Sequence, residues 1–207
     1  MENNSFEQMN SMYIDVLREI GNIGAGNAAT AISNMLNLKI DMSVPQVELM
    51  PVERITTAIG AEDEVIVGIM LGVEMDIDGS MMFLLDMKSA HHLVNRLMMR
   101  DLSYDKDFDE MDLSALKEIG NIIASSYLSA LAGLTNMTIS PTVPFVTVDM
   151  AAAILSVPAV MFGMMGDNAL LIKTEIGDEE SISGYFILMP EEDSFKKILT
   201  SLGISLQ

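Results

Sequence analysis

The stretch Glu19-Ile-Gly-Asn-Ile23 occurs twice in this chain, returning letter for letter as Glu118-Ile-Gly-Asn-Ile122 after 99 residues. The agreement widens at the same offset: Asp15 corresponds to Ser114, Leu17 to Leu116 and Pro45 to Pro144. Each copy therefore reads Asp or Ser, three residues, Glu, two residues, Asn, twenty-two residues, Pro. A chain built this way must fold into two like halves. A duplicated chain is also free to let its exposed polar positions drift apart. A Glu and an Asn that stay in place while their surroundings change ask for a chemical reason.

At about 100° per residue, Asp15, Glu19 and Asn22 fall within roughly 60° of one another on a helix. Tyr13, Leu17, Ile20, Gly24, Ala28 and Ala31 gather on the opposite side, the face a core takes. In the second copy Leu116, Ile119, Ile123 and Tyr127 turn one way, and Ser114, Glu118 and Asn121 the other. One helix of this kind would be an ordinary solvated face. Repetition of the whole spacing, proline included, turns the reading toward function. Gly21, Gly24 and Gly26 each weaken the first helix by about 1 kcal/mol against Ala, although a glycine on the buried face also admits a close helix contact. We expect fraying in the turn after Asn22, so the second site, followed by Ile122-Ile-Ala-Ser125, is expected to be the stronger.

In chain order the pattern predicts a lead-in over residues 1–10, a helix over Ser11–Asn37 and a strand over Lys39–Met50. A short helix follows, started by Pro51 and running to Ile59. Strands at Glu64–Met75 and Gly79–Met87 are joined by Asp76-Ile-Asp-Gly79, a hairpin signal, and a helix over Lys88–Arg100 closes the half. The acidic seam Asp101–Asp112 leads into a replay: helix Leu113–Leu134, strand Met137–Val148, short helix Asp149–Leu155, hairpin Ala169–Ile176 and Ser183–Met189, helix Glu191–Leu202. Matching Gly79 with Gly184 places about six extra residues between Pro144 and that hairpin. The fold class expected is α/β (α+β). One pseudo-twofold duplicated domain spans 1–207, with repeats at about 11–104 and 110–207. Its six-stranded, largely antiparallel sheet packs against the two long motif-bearing helices.

Composition excludes much. The chain has no cysteine, hence no disulfide, thiol nucleophile or thiolate metal site. Its net charge of −19 argues against nucleic acid and against anionic membranes. The acidic runs Asp105–Asp112 and Asp178–Glu180 read as solvated loops. No signal peptide is apparent at the start. The apolar run Ala151–Met165 is interrupted by Pro158 and Gly163 and too short to span a bilayer, so it reads as core. A cytoplasmic protein without membrane insertion is expected.

The chain has two histidines, His91 and His92, adjacent on a helix and so poorly placed as a metal pair. Neither lies near the repeat, which leaves a Ser-His-Asp triad there unsupported. Gly21-x-x-Gly24-x-Gly26 falls inside a helix and follows no strand, unlike a dinucleotide loop. One Glu and one Asn make thin metal coordination. They can, however, pair with a partner's lysine and hold a water through both donor and acceptor, the device by which GTPases position water with Gln.

The doubled pattern Asp15/Glu19/Asn22/Pro45 and Ser114/Glu118/Asn121/Pro144 resembles the signature of the CheC-type phosphatases of bacterial and archaeal chemotaxis. The resemblance covers nearly the whole chain. It implies hydrolysis of the aspartyl phosphate of the response regulator CheY, without a covalent intermediate. Asn22 and Asn121 would orient the attacking water. Glu19 and Glu118 would pair with the regulator's active-site lysine, and Asp15, Ser114, Pro45 and Pro144 would support the motifs. No cofactor would be bound by this chain, Mg2+ being supplied by the phosphorylated regulator. The family also implies a second partner, the receptor deamidase CheD, with Asp149 the candidate contact, although Asp149 also reads as the N-cap of a short helix. A non-catalytic module sequestering phospho-CheY or CheD, or a flagellar-switch component, are the alternatives, and no appended switch domain is recognisable.

Overall fold

Two long helices carry the repeated stretch: α1 (Glu2–Leu36) and α4 (Glu110–Thr135). The computed structural model describes residues 2–51, 54–59, 63–162, 168–177 and 181–203. The remaining elements are β1 (Asp41–Pro51), α2 (Ile55–Ile59), β2 (Val65–Met75), β3 (Gly79–Asp86), α3 (Met87–Leu97), β4 (Ile139–Pro141), β5 (Phe145–Met150), α5 (Ala151–Phe162), β6 (Asn168–Gly177), β7 (Ser181–Pro190) and α6 (Glu192–Ser201).

α1 takes in the residues expected as a lead-in. No Gly or Pro interrupts Glu2–Ile20, so nothing in that stretch stops a helix. It also runs unbroken through Gly21, Gly24 and Gly26, so the expected fraying does not occur. α4 begins with a reciprocal cap. The Asp109 carboxylate accepts the N–H groups of Met111 and Asp112 at 2.8 and 2.9 Å, while Asp112 accepts that of Asp109. Arg100 donates to the buried Asp112 carboxylate at 2.6 Å. Asp112 is thus a structural anchor and not part of a solvated loop. Pro51 ends β1 where it was expected to start a helix, and Asp178–Glu180 lie outside the described residues.

The sheet has seven strands in the order β1-β6-β7-β3-β2, with β4 and β5 both on β2, and every pairing is antiparallel. The seventh strand arises because the one expected over Met137–Val148 breaks between Pro141 and Phe145. Each half gives its first strand to the other half's hairpin. β1 pairs with β6, and β4/β5 pair with β2, so the halves interlock.

The motif prolines mark the same defect twice. In β1 the register shifts between Ser43↔Glu175 and Gln46↔Lys173, leaving Val44 and Pro45 opposite Thr174. In the second half Thr142 donates its N–H to Gly72 at 2.9 Å and accepts the Gly72 N–H at 2.8 Å. Phe145 pairs with Met70, so Val143 and Pro144 stand opposite Leu71. A bulge tolerates proline because the extra residue has no ladder bond to make. Matching Leu71 with Thr174 gives an offset of 103 across the sheet. At that offset Phe83 corresponds to Phe186, and these two residues pair directly across β3 and β7. The pseudo-twofold therefore passes between them. The expected Gly79–Gly184 equivalence is replaced, since register and not residue identity sets it.

The larger apolar cluster lies between the sheet and α1, α3, α4 and α6, holding Leu17, Ile32, Leu93, Ile119 and Ile198. A smaller one lies on the opposite face under α2 and α5, around Ile55, Met82, Ile154 and Ile187. Among the described residues, no helix is long and apolar enough to cross a membrane.

Candidate functional site

Both copies of Glu-x-x-Asn sit mid-helix with their apolar neighbours turned inward. On α1, Leu17, Ile20, Gly21 and Gly24 are buried, while Asp15, Glu19 and Asn22 are exposed. On α4, Leu116, Ile119, Gly120 and Ile123 are buried, Ser114 and Glu118 are exposed and Asn121 is half-buried. The helical arithmetic thus holds in both places, with the carboxylate and the carboxamide about one turn apart on an outer face. The leading motif positions do different things. Asp15 accepts from Arg18 at 2.9 Å, whereas the Ser114 hydroxyl donates back to the Glu110 carbonyl at 2.8 Å.

The backbone beneath Asn22 is held by close packing. A Cβ on Gly21 would lie 3.3 Å from Val44 of the first bulge, and one on Gly24 would lie 2.8 Å from the Tyr127 ring and 2.9 Å from its Cα. Glycine is what lets α1 approach α4 this closely, so Gly24 is a packing device. Tyr127 stacks on Phe186 at 4.4 Å between ring centres, and its hydroxyl meets Thr174 Oγ1 at 3.2 Å. Burial pushes the Tyr127 phenol up to about 12, against the opposing effect of the Thr174 hydrogen bond. Thr174 is the residue opposite the Pro45 bulge, so packing runs continuously from that proline's strand to the turn after Asn22. Under α4, Gly120 would meet Ile69 at 2.5 Å. The bulge residue Val143 is 85% exposed, while Pro144 is buried. Tyr127 was legible as a core residue, but its tie to Thr174 needs the strand register and left no signal in the sequence.

A model of the CheC-like family matches residues 12–49 and 111–148. These two segments open just before Asp15 and Ser114 and run past Pro45 and Pro144, so they contain all eight motif residues. The chain is 37% identical to the CheY-P phosphatase CheC of Bacillus subtilis, over 97% of this chain and 99% of that one.

The chain belongs to the CheC-like family.

Among solved structures, FliY of Thermotoga maritima superposes with a TM-score of 0.74 at 23% identity, covering 92% of this chain and 95% of that one. A chain in the CheX-CheY-BeF3-Mg2+ complex of Borrelia burgdorferi gives a TM-score of 0.51 at 19% identity, covering 82% of this chain and 96% of that one. The fold is therefore shared across these CheC-like and FliY-type chains.

Asp149 lies one residue beyond the second matched segment and two residues before α5 opens at Ala151. It sits in β5 opposite Ile66, and its carboxylate accepts the Met150 N–H at 2.7 Å. It lines a shallow groove with Met70, Phe145, Thr147, Ala153 and Val157. The groove lies on the sheet face away from α1 and α4. The segment from Ala151 is only partly core: Ala151, Ile154 and Leu155 are buried, while Ala152, Ala153, Ser156 and Val157 are exposed, and residues 163–165 lie outside the described ones. Phe145 is 61% exposed, and its counterpart in the first half at the offset of 99 is Gln46. His91 stacks on Phe108 at 4.3 Å and His92 is buried. Among the described residues no three His, Cys, Asp or Glu side chains group to hold a metal ion.

Proposed function

We propose that this CheC-like protein is a phosphatase that hydrolyses the aspartyl phosphate of the response regulator CheY. The observation that carries this is the doubled Glu-x-x-Asn, presented from the outer faces of two long helices in a chain 37% identical over nearly its whole length to a CheY-P phosphatase. Asn22 or Asn121 holds a water through its carbonyl and amide groups, in line with the scissile bond. The water oxygen bonds to phosphorus as the bond from phosphorus to the carboxylate oxygen breaks. The aspartate leaves as a carboxylate, which needs no general acid. Glu19 or Glu118 pairs with a lysine of the regulator and fixes the approach. In this reading Mg2+ belongs to the regulator, and no residue of this chain is assigned to it. With phosphorylated CheY in large excess, many equivalents of phosphate are expected per chain. Release that stops near one equivalent would mean sequestration in place of catalysis.

The same reading includes a second partner, the deamidase CheD, at the groove beside Asp149. Support comes from the exposed apolar side chains there, Phe145 and Val157, on the face opposite the two motifs. The five residues of α2 in the first half offer nothing comparable to the twelve of α5. Asp149→Lys is expected to abolish co-elution with CheD and leave phosphate release intact. Normal co-elution would remove the groove from this role.

A further inference from the structure

The repeat preserves one more feature, which the Glu and Asn overshadow. One residue before each Glu, and one turn before each Asn, stands a cation: Arg18 in the first copy and Lys117 in the second. The chain has only 11 Lys and Arg in 207 residues, so a basic residue at the same position of both copies runs against its composition. On the helix, Arg18 lies about 40° from Asn22, and Lys117 about 40° from Asn121, on the flank away from the Glu. Each carboxamide is thus bracketed by a carboxylate on one side and a cation on the other. Both cations are exposed, and neither packs the core.

The two cations differ in one respect. Arg18 is held by Asp15 at 2.9 Å. Ser114 replaces that acid in the second copy and is turned back onto its own helix, and Lys117 makes no ion pair among the described residues. We infer that Arg18 and Lys117 are substrate-docking groups that meet the anionic phosphoryl group presented to the neighbouring Asn, and that Asp15 restrains the first while the second is free. The inference rests on the phosphatase reading above and deepens it. A chain of net charge −19 repels an acyl phosphate at long range, and a cation beside each carboxamide offsets that repulsion where the phosphoryl group must sit. A cation in this position acts mainly on encounter and affinity, and its effect is screened by salt. Inequality of the sites then follows from charge pairing and not from fraying.

The test measures initial rates of phosphate release from phosphorylated CheY at low and high salt, with one site silenced at a time. In the Asn22→Ala background, Lys117→Gln is expected to lower kcat/KM about 5- to 20-fold at low salt, through KM. The loss shrinks at high salt, and Lys117→Arg retains activity. In the Asn121→Ala background, Arg18→Gln is expected to lower kcat/KM. Asp15→Ser, which copies the second site's arrangement, is expected to raise it about two- to five-fold, the range that an exposed ion pair allows. Titration with beryllofluoride-loaded CheY reads the same contributions as affinities where a background turns over slowly. An unchanged kcat/KM, affinity and salt dependence in Lys117→Gln would overturn the inference, as would no gain from Asp15→Ser. A parent protein that releases no phosphate from CheY would instead sink the phosphatase reading itself.

Discussion

Glu19 and Glu118 stand exposed on turns whose inward neighbours, Leu17, Ile20, Leu116 and Ile119, are buried, so their substitution tests chemistry with little effect on folding. A charge-assisted contact with a lysine at a partly desolvated interface contributes about 1–3 kcal/mol, or roughly 5- to 150-fold in affinity. Glu19→Gln and Glu118→Gln together are therefore expected to weaken CheY binding by that factor, with a smaller loss at high salt. Binding isotherms at two salt concentrations check it, and unchanged affinity would count against the pairing. These residues were legible because duplication separated what is kept from what drifts. Asp149 was not. Its place before an alanine-rich run read as a helix cap, whereas the pairing of β5 with β2 continues through it. That pairing is long-range and leaves no local mark.

The long helices were legible as elements; of the two readings open for their glycines, fraying and close packing, the structure takes packing at Gly24. Intrinsic preference assigns each glycine the same penalty, and tertiary packing sorts them. Gly24 is pressed against Tyr127, while a Cβ on Gly26 would meet nothing within 4 Å. Gly24→Ala must push α1 off α4 and is expected to lower stability by about 1–3 kcal/mol. Gly26→Ala is expected to raise it by up to about 1 kcal/mol. Thermal melts should show Tm falling by roughly 2–12 °C in the first variant and rising by up to roughly 4 °C in the second. A rise in both variants would mean that propensity, not packing, governs this turn. The start of α1 shows the complementary lesson. Residues 2–10 carry no apolar stripe, so amphipathic periodicity missed them, yet nothing in them stops a helix.

For the molecule as a whole, a duplicated α/β domain with an antiparallel sheet follows from the repeat, the hairpin signals and the order of elements. The exchange of first strands between halves does not, because either half's hairpin presents an equally apolar edge to β1. The two prolines held the clue. They are the residues at which each exchanged strand bulges, opposite Thr174 and Leu71. The same arrangement places both motifs on one face of the sheet and the Asp149 groove on the other, so the proposed phosphoryl chemistry and the proposed partner docking would use separate surfaces. The central claim is that the two carboxamides position the attacking water. It is tested most directly by phosphate release from phosphorylated CheY with Asn22→Ala and Asn121→Ala combined. The account predicts a fall of about 100-fold or more with the circular dichroism spectrum and Tm of the parent retained, and release at the parent rate would contradict it.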